Sequence, residues 1–396
     1  MLRRTGWKMA ALLWMVAGEA SGDARGAELV RALHTLDPGL QVCGAGGPRL
    51  QSLACEPFDP WIDRAAVLGL WDVLRQYGYF RKKFHAMLAS IARVRPGAVI
   101  LVDYPGFNLR LAAALRKRNF PGKIICYISP QVWAWNRGRI PKIARLLDLM
   151  ICVFPFEKPM WEAVGLRTVF AGHPLLEALM PEKVSVVPRE RNLLGLFPGS
   201  RRKEVQRNFP VMVEAARRVA RLREATVFEV AAANAEHAAY CRRLVGDLPM
   251  EIAHGRAHEL MRRARAGIVC SGTATLEAAF FELPYALIYK AAWLTFEVGK
   301  RLVDVNCLGI VNILNNYRMN PPPDPRLPAA PAPHVIPEFI QHMATPDALA
   351  QEAIRLLNDE AARRRQLESC RDILAGLEAQ GASERAARAI LEELRR

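Results

Sequence analysis

Apolar runs alternate with helical patterns along this chain, and the rhythm plays through twice. In the first half the expected strands are Ala11–Ala17, Leu40–Gly44, Ala98–Val102, Lys123–Ile128, Leu149–Phe154 and Thr168–Ala171, separated by helical stretches such as Asp23–Leu36 and Asn108–Asn119. The runs are apolar almost continuously rather than at alternate positions, so both faces of the sheet must be covered, which is the mark of parallel strands packed between helices. Near Leu175–Asn192 the pattern lapses into a connector containing proline and charge. It restarts with Asn192–Phe197, Thr226–Ala231, Met250–Ala253, Ala266–Val269, Tyr285–Tyr289 and Gly309–Ile313. The expected fold is α/β, with two Rossmann-like doubly wound domains facing a cleft and helices at the C-terminus. The expected divisions are 1–180, 181–370 and 371–396, the last packing back on the body or on a partner chain. A chain of 396 residues has room for two such cores. In sheets of this kind ligands bind beyond the carboxyl ends of the strands.

Two features could mislead. Arg3-Arg4 followed by Met9–Ala17 imitates a secretory signal. The apolar run, however, leads directly into Gly18-Glu19-Ala20-Ser21-Gly22-Asp23, a glycine turn and helix start, so it reads as the first strand. The eight cysteines form no C-x-x-C pair and no zinc spacing, and Cys126, Cys152 and Cys270 sit inside apolar strand-like runs. Inert core thiols in a reducing cytoplasm account for them, and no metal or cofactor is expected. No run approaches the ~20 apolar residues that a membrane-spanning helix needs.

The net charge of +16 calls for anionic partners. Lys and Arg are spread over the chain and no nucleic-acid module is recognisable, so nucleic acid is not expected. A phosphorylated ligand is better supported. Asn192–Val205 runs from a strand through Phe197-Pro198-Gly199-Ser200 into a charged helix. The amides of a helix start, Ser200 as N-cap, Gly199 and Arg201 all favour a bound anion, although an ordinary strand-turn-helix junction has the same outline. Cys270–Glu277 repeats the arrangement. There Gly272, Thr273 and Ala274 could receive a second phosphate oxygen and Glu277 could hold two ribose hydroxyls.

In the first half, Asp103 follows a buried strand and precedes a helix, the place a general base needs, or one where a carboxylate only braces its loop. Ser129–Trp135 ends another strand with Gln131, Trp133 and Trp135, where the indoles stack on a sugar, line an acyl groove or fill the core. His173, in Gly172-His173-Pro174-Leu175, contacts a substrate phosphate or serves as a hinge histidine. Val67, Leu68, Leu70, Trp71 and Leu74, flanked by Arg75, Arg81, Lys82 and Lys83, suit an interfacial membrane contact or a packed core helix. Met319–His334 is too rich in proline for regular structure and is expected to be an exposed loop. The charges of Ser383–Arg396 are expected on a solvated helix face.

Taken in order, Gly18–Asp23, Gly44–Arg49, Asp103–Leu109, Ser129–Trp135, Phe154–Glu157, Gly172–Leu175, Pro198–Val205 and Ser271–Glu277 resemble the lipid-A-disaccharide synthase family, inverting glycosyltransferases of GT-B fold. The resemblance implies transfer from UDP-2,3-diacylglucosamine to 2,3-diacylglucosamine 1-phosphate (lipid X), without a metal, by an enzyme peripheral on the cytoplasmic face of the inner membrane. It admits a homodimer. It implies that Asp103 is the base, that Gly199, Ser200, Arg201, Gly272, Thr273, Ala274, Glu277 and Asn312 hold the UDP-sugar, and that Glu19, Ser21, Gly22, Asp23, Gln131, Trp133 and His173 serve the acceptor. Gly106 stands where many relatives have a second aspartate. The Arg-Glu pair expected a few residues after Asn312 is absent. The rival expectations are another GT-B UDP-sugar enzyme, either the lipid-linked peptidoglycan glycosyltransferase or a UDP-sugar epimerase, and a catalytically impaired relative that binds anionic lipid.

Overall fold

The computed structural model describes residues 12–62, 77–184, 187–292 and 306–396. The chain divides into two compact units: residues 1–178 with 377–396, and residues 179–376. Unit 1 is built on a seven-stranded parallel sheet of order β3-β2-β1-β4-β5-β6-β7. Its strands are β1 (Leu12–Ala17), β2 (Gln41–Gly46), β3 (Phe58–Pro60), β4 (Ala98–Val102), β5 (Lys123–Tyr127), β6 (Leu149–Cys152) and β7 (Thr168–Phe170). The described part of the stretch that imitated a signal, Leu12–Ala17, is a central strand, buried from Leu13 to Ala17 and flanked by β2 and β4. The continuous apolarity of β1 and β4 follows from burial on both faces.

The C-terminal helix Ala382–Leu394 belongs to unit 1 and packs on the helix Ala20–Leu36, burying Ala386, Ala387 and Ile390. Its charges are only partly solvated, which corrects the expectation. Glu393 is buried and bridges Lys123 at 3.0 Å and Arg167 at 2.5 Å.

Unit 2 has a six-stranded parallel sheet of order β10-β9-β8-β11-β12-β13. Its strands are β8 (Glu190–Phe197), β9 (Val227–Ala232), β10 (Glu251–His254), β11 (Ala264–Cys270), β12 (Tyr285–Tyr289) and β13 (Glu338–Ile340). One expected strand fails: Gly309–Ile313 is the cap and first turn of a helix, Ile310–Met319. Within the connector, Pro174–Leu179 is helical. The proline-rich segment after Met319 is irregular, as expected, but not simply exposed. Ala329 and Ala332 are buried, and Asn315 and Asn316 strap it down through Pro333 O at 3.0 Å and the Ala332 amide at 2.8 Å.

Val67, Leu68, Leu70, Trp71 and Leu74 lie outside the described residues. Among the described residues no helix is long and apolar enough to cross a membrane.

Candidate functional site

In unit 1, β1 connects to β2 on one side and β4 to β5 on the other, so the sheet order reverses between β1 and β4. A crevice opens at such a switch point. Two motifs end there. β1 runs through Gly18 and Glu19 into the helix Ala20–Leu36, and β4 runs through Asp103 and Tyr104 into the helix Pro105–Lys117. Asp103 and Tyr104 both adopt left-handed backbone, with φ of 47° and 50°, a conformation that costs roughly 1–3 kcal/mol at each non-glycine residue and collects at functional sites.

The surrounding bonds hold this turn. The Asp103 amide donates to Tyr127 O at 3.0 Å, and Asn108 Nδ2 donates to Asp103 O at 2.7 Å and Val102 O at 3.2 Å. The Tyr104 ring folds over Gly18, where any Cβ would come within 2.3 Å of it, so glycine is required there. Burial raises the pKa of Asp103, partly offset by a backbone hydrogen bond from Tyr104. A carboxylate made more basic by desolvation is a better proton acceptor.

The acceptor residues expected around this turn separate into two groups. Glu19 is half-buried, Ser21 and Gln131 are exposed, and Gly22 packs beside Val102. Asp23 is otherwise engaged: its carboxylate accepts from the amides of Gly47 at 2.8 Å, Arg49 at 3.0 Å and Leu50 at 3.1 Å. It caps the short helix Pro48–Gln51 and ties the first two motifs together, which corrects its assignment as an acceptor ligand. Trp133 is corrected as well. It is 1% exposed, and its indole N–H donates to Glu157 at 2.9 Å. Trp135, by contrast, is 44% exposed with Arg139 over its ring.

Glu157 also accepts from the amides of Val153 and Phe154, and burial pushes its pKa up to about 7. The Phe154–Glu157 motif therefore braces the Ser129–Trp135 loop. His173 sits against Phe154 at 5.3 Å, and burial lowers its pKa to about 4, so its imidazole is neutral at pH 7. Its amide donates to Leu377 O at 3.0 Å, where the chain re-enters unit 1. The hinge reading of His173 therefore has a direct contact.

Unit 2 has its own switch point between β8 and β11, and both glycine turns end there. Gly199 has φ of 114°, and a Cβ would lie 2.9 Å from Glu204 Oε2 and 3.2 Å from Cys270 Sγ, so only glycine fits. Arg201, not Ser200, is the N-cap of the helix Arg202–Leu222, which displaces the expected cap by one residue. The Arg201 side chain is 55% exposed and lies 3.2 Å from Glu204. An exposed pair of this kind is weak, so the guanidinium can turn to a stronger anion. Gly272 caps Thr273–Phe280 with φ of 137°; it and Thr273 are exposed, and Ala274 follows in the first turn.

Asn208, missed from sequence, clamps the two turns together. Its amide donates to Cys270 Sγ at 3.0 Å and Pro198 O at 3.5 Å, while Oδ1 accepts from the Lys290 amide at 3.0 Å. The signal was a polar residue on the apolar face of its helix, between Val205 and Met212, where unpaired amides are costly. Glu277 faces His258, 3.8 Å away, and His258 Nδ1 lies 2.9 Å from Glu182; the two carboxylates hold the imidazole pKa up. His258, also unforeseen, lines a cavity of 390 Å3 beyond β9 and β10, together with Ala233, Gly255 and Arg256.

Asn312 does not fit a ligand role. It is 1% exposed; Nδ2 donates to Ile336 O and Glu338 Oε1, and Oδ1 accepts from the Val335 and Ile336 amides. Every hydrogen-bonding position of its side chain is filled from within unit 2.

Comparison with known proteins places these motifs in a wider set. The family described as lipid-A-disaccharide synthetase matches residues 13–326. The lipid-A-disaccharide synthase of Trichlorobacter lovleyi is 38% identical, covering 91% of this chain and 93% of its own. That of Anaeromyxobacter dehalogenans is 35% identical over 96% and 97%. Among solved structures, UDP-GlcNAc 2-epimerase from Neisseria meningitidis superposes with a TM-score of 0.60 over 97% and 99% of the two chains at 11% identity. The calicheamicin glycosyltransferase gives 0.56 over 98% and 99% at 14%. At such identities the likeness is one of fold, and it agrees with two Rossmann-like units of GT-B type.

Proposed function

The chain belongs to the lipid-A-disaccharide synthetase family, and from that premise we propose that it transfers 2,3-diacylglucosamine from its UDP ester to the 6-hydroxyl of lipid X, releasing UDP and a β-1,6-linked disaccharide 1-phosphate. The observation that carries the proposal is the Asp103 turn: a partly buried carboxylate on strained backbone at the carboxyl end of a central strand, in a chain of this family. Asp103 takes the proton of the 6-hydroxyl as its oxygen attacks the anomeric carbon. The C–O bond to the diphosphate breaks on the opposite face, which inverts the configuration.

Unit 2 supplies the leaving-group contacts. Arg201 and the amides around Ser200, Thr273 and Ala274 receive the charge that develops on UDP, so neither metal nor cofactor is needed in this reading. Glu277 holds the ribose, and the cavity beside His258 is where we place the uracil. With a net charge of +16, the enzyme works as a peripheral protein on the anionic inner face of the inner membrane.

The test is disaccharide formation from both substrates in detergent with EDTA present, followed across pH. Turnover should persist in EDTA. The rate should fall as pH drops through the pKa of Asp103, because only the carboxylate can accept the proton. Since burial raises that pKa, the acid limb should lie above the ordinary aspartate value of 3.8. Abolition by EDTA, or an acid limb at or below that value, contradicts the proposal.

A further inference from the structure

Beside the Asp103 turn, unit 1 holds a concavity that the mechanism above does not use. The helix Tyr77–Val94 presents Phe80 and Phe84 one turn apart, with Arg81 and His85 next to them at the same spacing. With them, Tyr104, Gly106, Phe107 and Arg110, from the turn and helix that follow Asp103, line a cavity of 470 Å3. That volume falls in the range of ~300–1,000 Å3 usual for sites that enclose small ligands.

The floor is aromatic and fixed. Phe84 stands edge-on to Phe107 at 5.6 Å, and Phe107 packs on Trp61 at 4.7 Å. Trp61 is in turn anchored by its indole N–H to Ala17 O at 2.7 Å, at the end of β1. The rim has the opposite character. Arg81, His85 and Arg110 are exposed, and among the described residues no carboxylate lines it. A dry aromatic floor under a cationic rim suits an amphiphile whose chain enters and whose anionic group stays at the mouth.

Resting on the reading of the reaction given above, we propose that this pocket is the lipid subsite for the acceptor. One acyl chain of 2,3-diacylglucosamine 1-phosphate lies against Phe80, Phe84 and Phe107, and its phosphate is met by Arg81 and Arg110. Tyr104 and Gly106 stand within three residues of Asp103, so a sugar held at the mouth of this pocket brings its hydroxyls to the base. The pocket thereby reads both the chain and the phosphate of the acceptor.

Gly106 offers a test that spares the fold. A Cβ there meets nothing within 4 Å, and the position lies in the first turn of a helix, so Gly106→Leu should fill the pocket without lowering thermal stability. Equilibrium binding of labelled lipid X, which needs no turnover, is compared with UDP binding in the wild type, Gly106→Leu and Arg110→Ala. Gly106→Leu should weaken lipid X by about tenfold or more, the equivalent of two methylenes denied burial, and leave UDP binding unchanged. For an analogue with acetyl in place of the long chains the difference should vanish. Arg110→Ala should weaken lipid X but not its dephosphorylated form.

Unchanged binding of lipid X by Gly106→Leu, or an equal loss for the long-chain and acetyl ligands, would overturn the subsite. Failure of the wild type to make disaccharide while lipid X binding responds as described would overturn the reaction and leave the subsite standing.

Discussion

Replacing Asp103 by asparagine should lower turnover by about two to four orders of magnitude and leave UDP affinity unchanged. The substitution isolates chemistry from structure for a reason visible in the turn. The backbone of residue 103 is held by its amide to Tyr127 O and by its carbonyl from Asn108, and an asparagine oxygen can still accept the Tyr104 amide bond that the carboxylate receives. Asparagine tolerates left-handed backbone at least as well as aspartate. What disappears is the capacity to accept a proton, and with it the acid limb of the pH profile. The contacts proposed for UDP belong to unit 2 and are untouched. A variant that kept a near-normal rate would move the base to another residue.

The second large effect is one of stability. Asn312→Ala removes four hydrogen bonds and strands the amides of Val335 and Ile336 and the Ile336 carbonyl, while Glu338 Oε1 keeps the Gly309 amide. Each buried group so orphaned costs ~1–3 kcal/mol, less whatever water recovers, and a total of about 3–6 kcal/mol is expected. In a domain of this size that shifts the melting transition by about 2–4 °C per kcal/mol, which calorimetry resolves. Below the transition, UDP should bind the variant as it binds the wild type. Were Asn312 a donor ligand instead, the melting temperature would hold and UDP affinity would drop.

The same residue shows why one strand was misread. Gly309–Ile313 is rich in β-branched residues, and its local preference is for strand. What decides its conformation is tertiary. Asn312, Asn315 and Asn316 share a helical face that binds the proline-rich segment, and the amides at the helix start are met by Glu338, reaching Leu308 N at 2.8 Å and Gly309 N at 2.9 Å. None of these partners is near in sequence. The edge strands β3 and β13 contain no run of more than two apolar residues, whereas β7, equally short, leads into Ala171 and so extends an apolar run. The longer parallel strands were legible because burial on both faces makes them apolar throughout.

The site was legible to a different depth. The motifs placed Asp103 and the two glycine turns at strand ends, and the structure finds both units' motifs at switch points of their sheets. The motifs do not say which polar residue touches ligand and which supports its neighbours. Asp23 and Trp133 lie inside motifs but spend their polar atoms on Gly47, Arg49, Leu50 and Glu157. Asn208 and His258 lie outside motifs and contact the two glycine turns and the Glu277 carboxylate. Burial of the individual atoms separates these roles, and sequence does not contain it.

The most direct measurement of the central claim is the product itself. Purified protein incubated in detergent with labelled UDP-2,3-diacylglucosamine and lipid X should form a β-1,6-linked disaccharide 1-phosphate and UDP in equal amounts. Both substrates left unchanged, or UDP released without disaccharide, would contradict it.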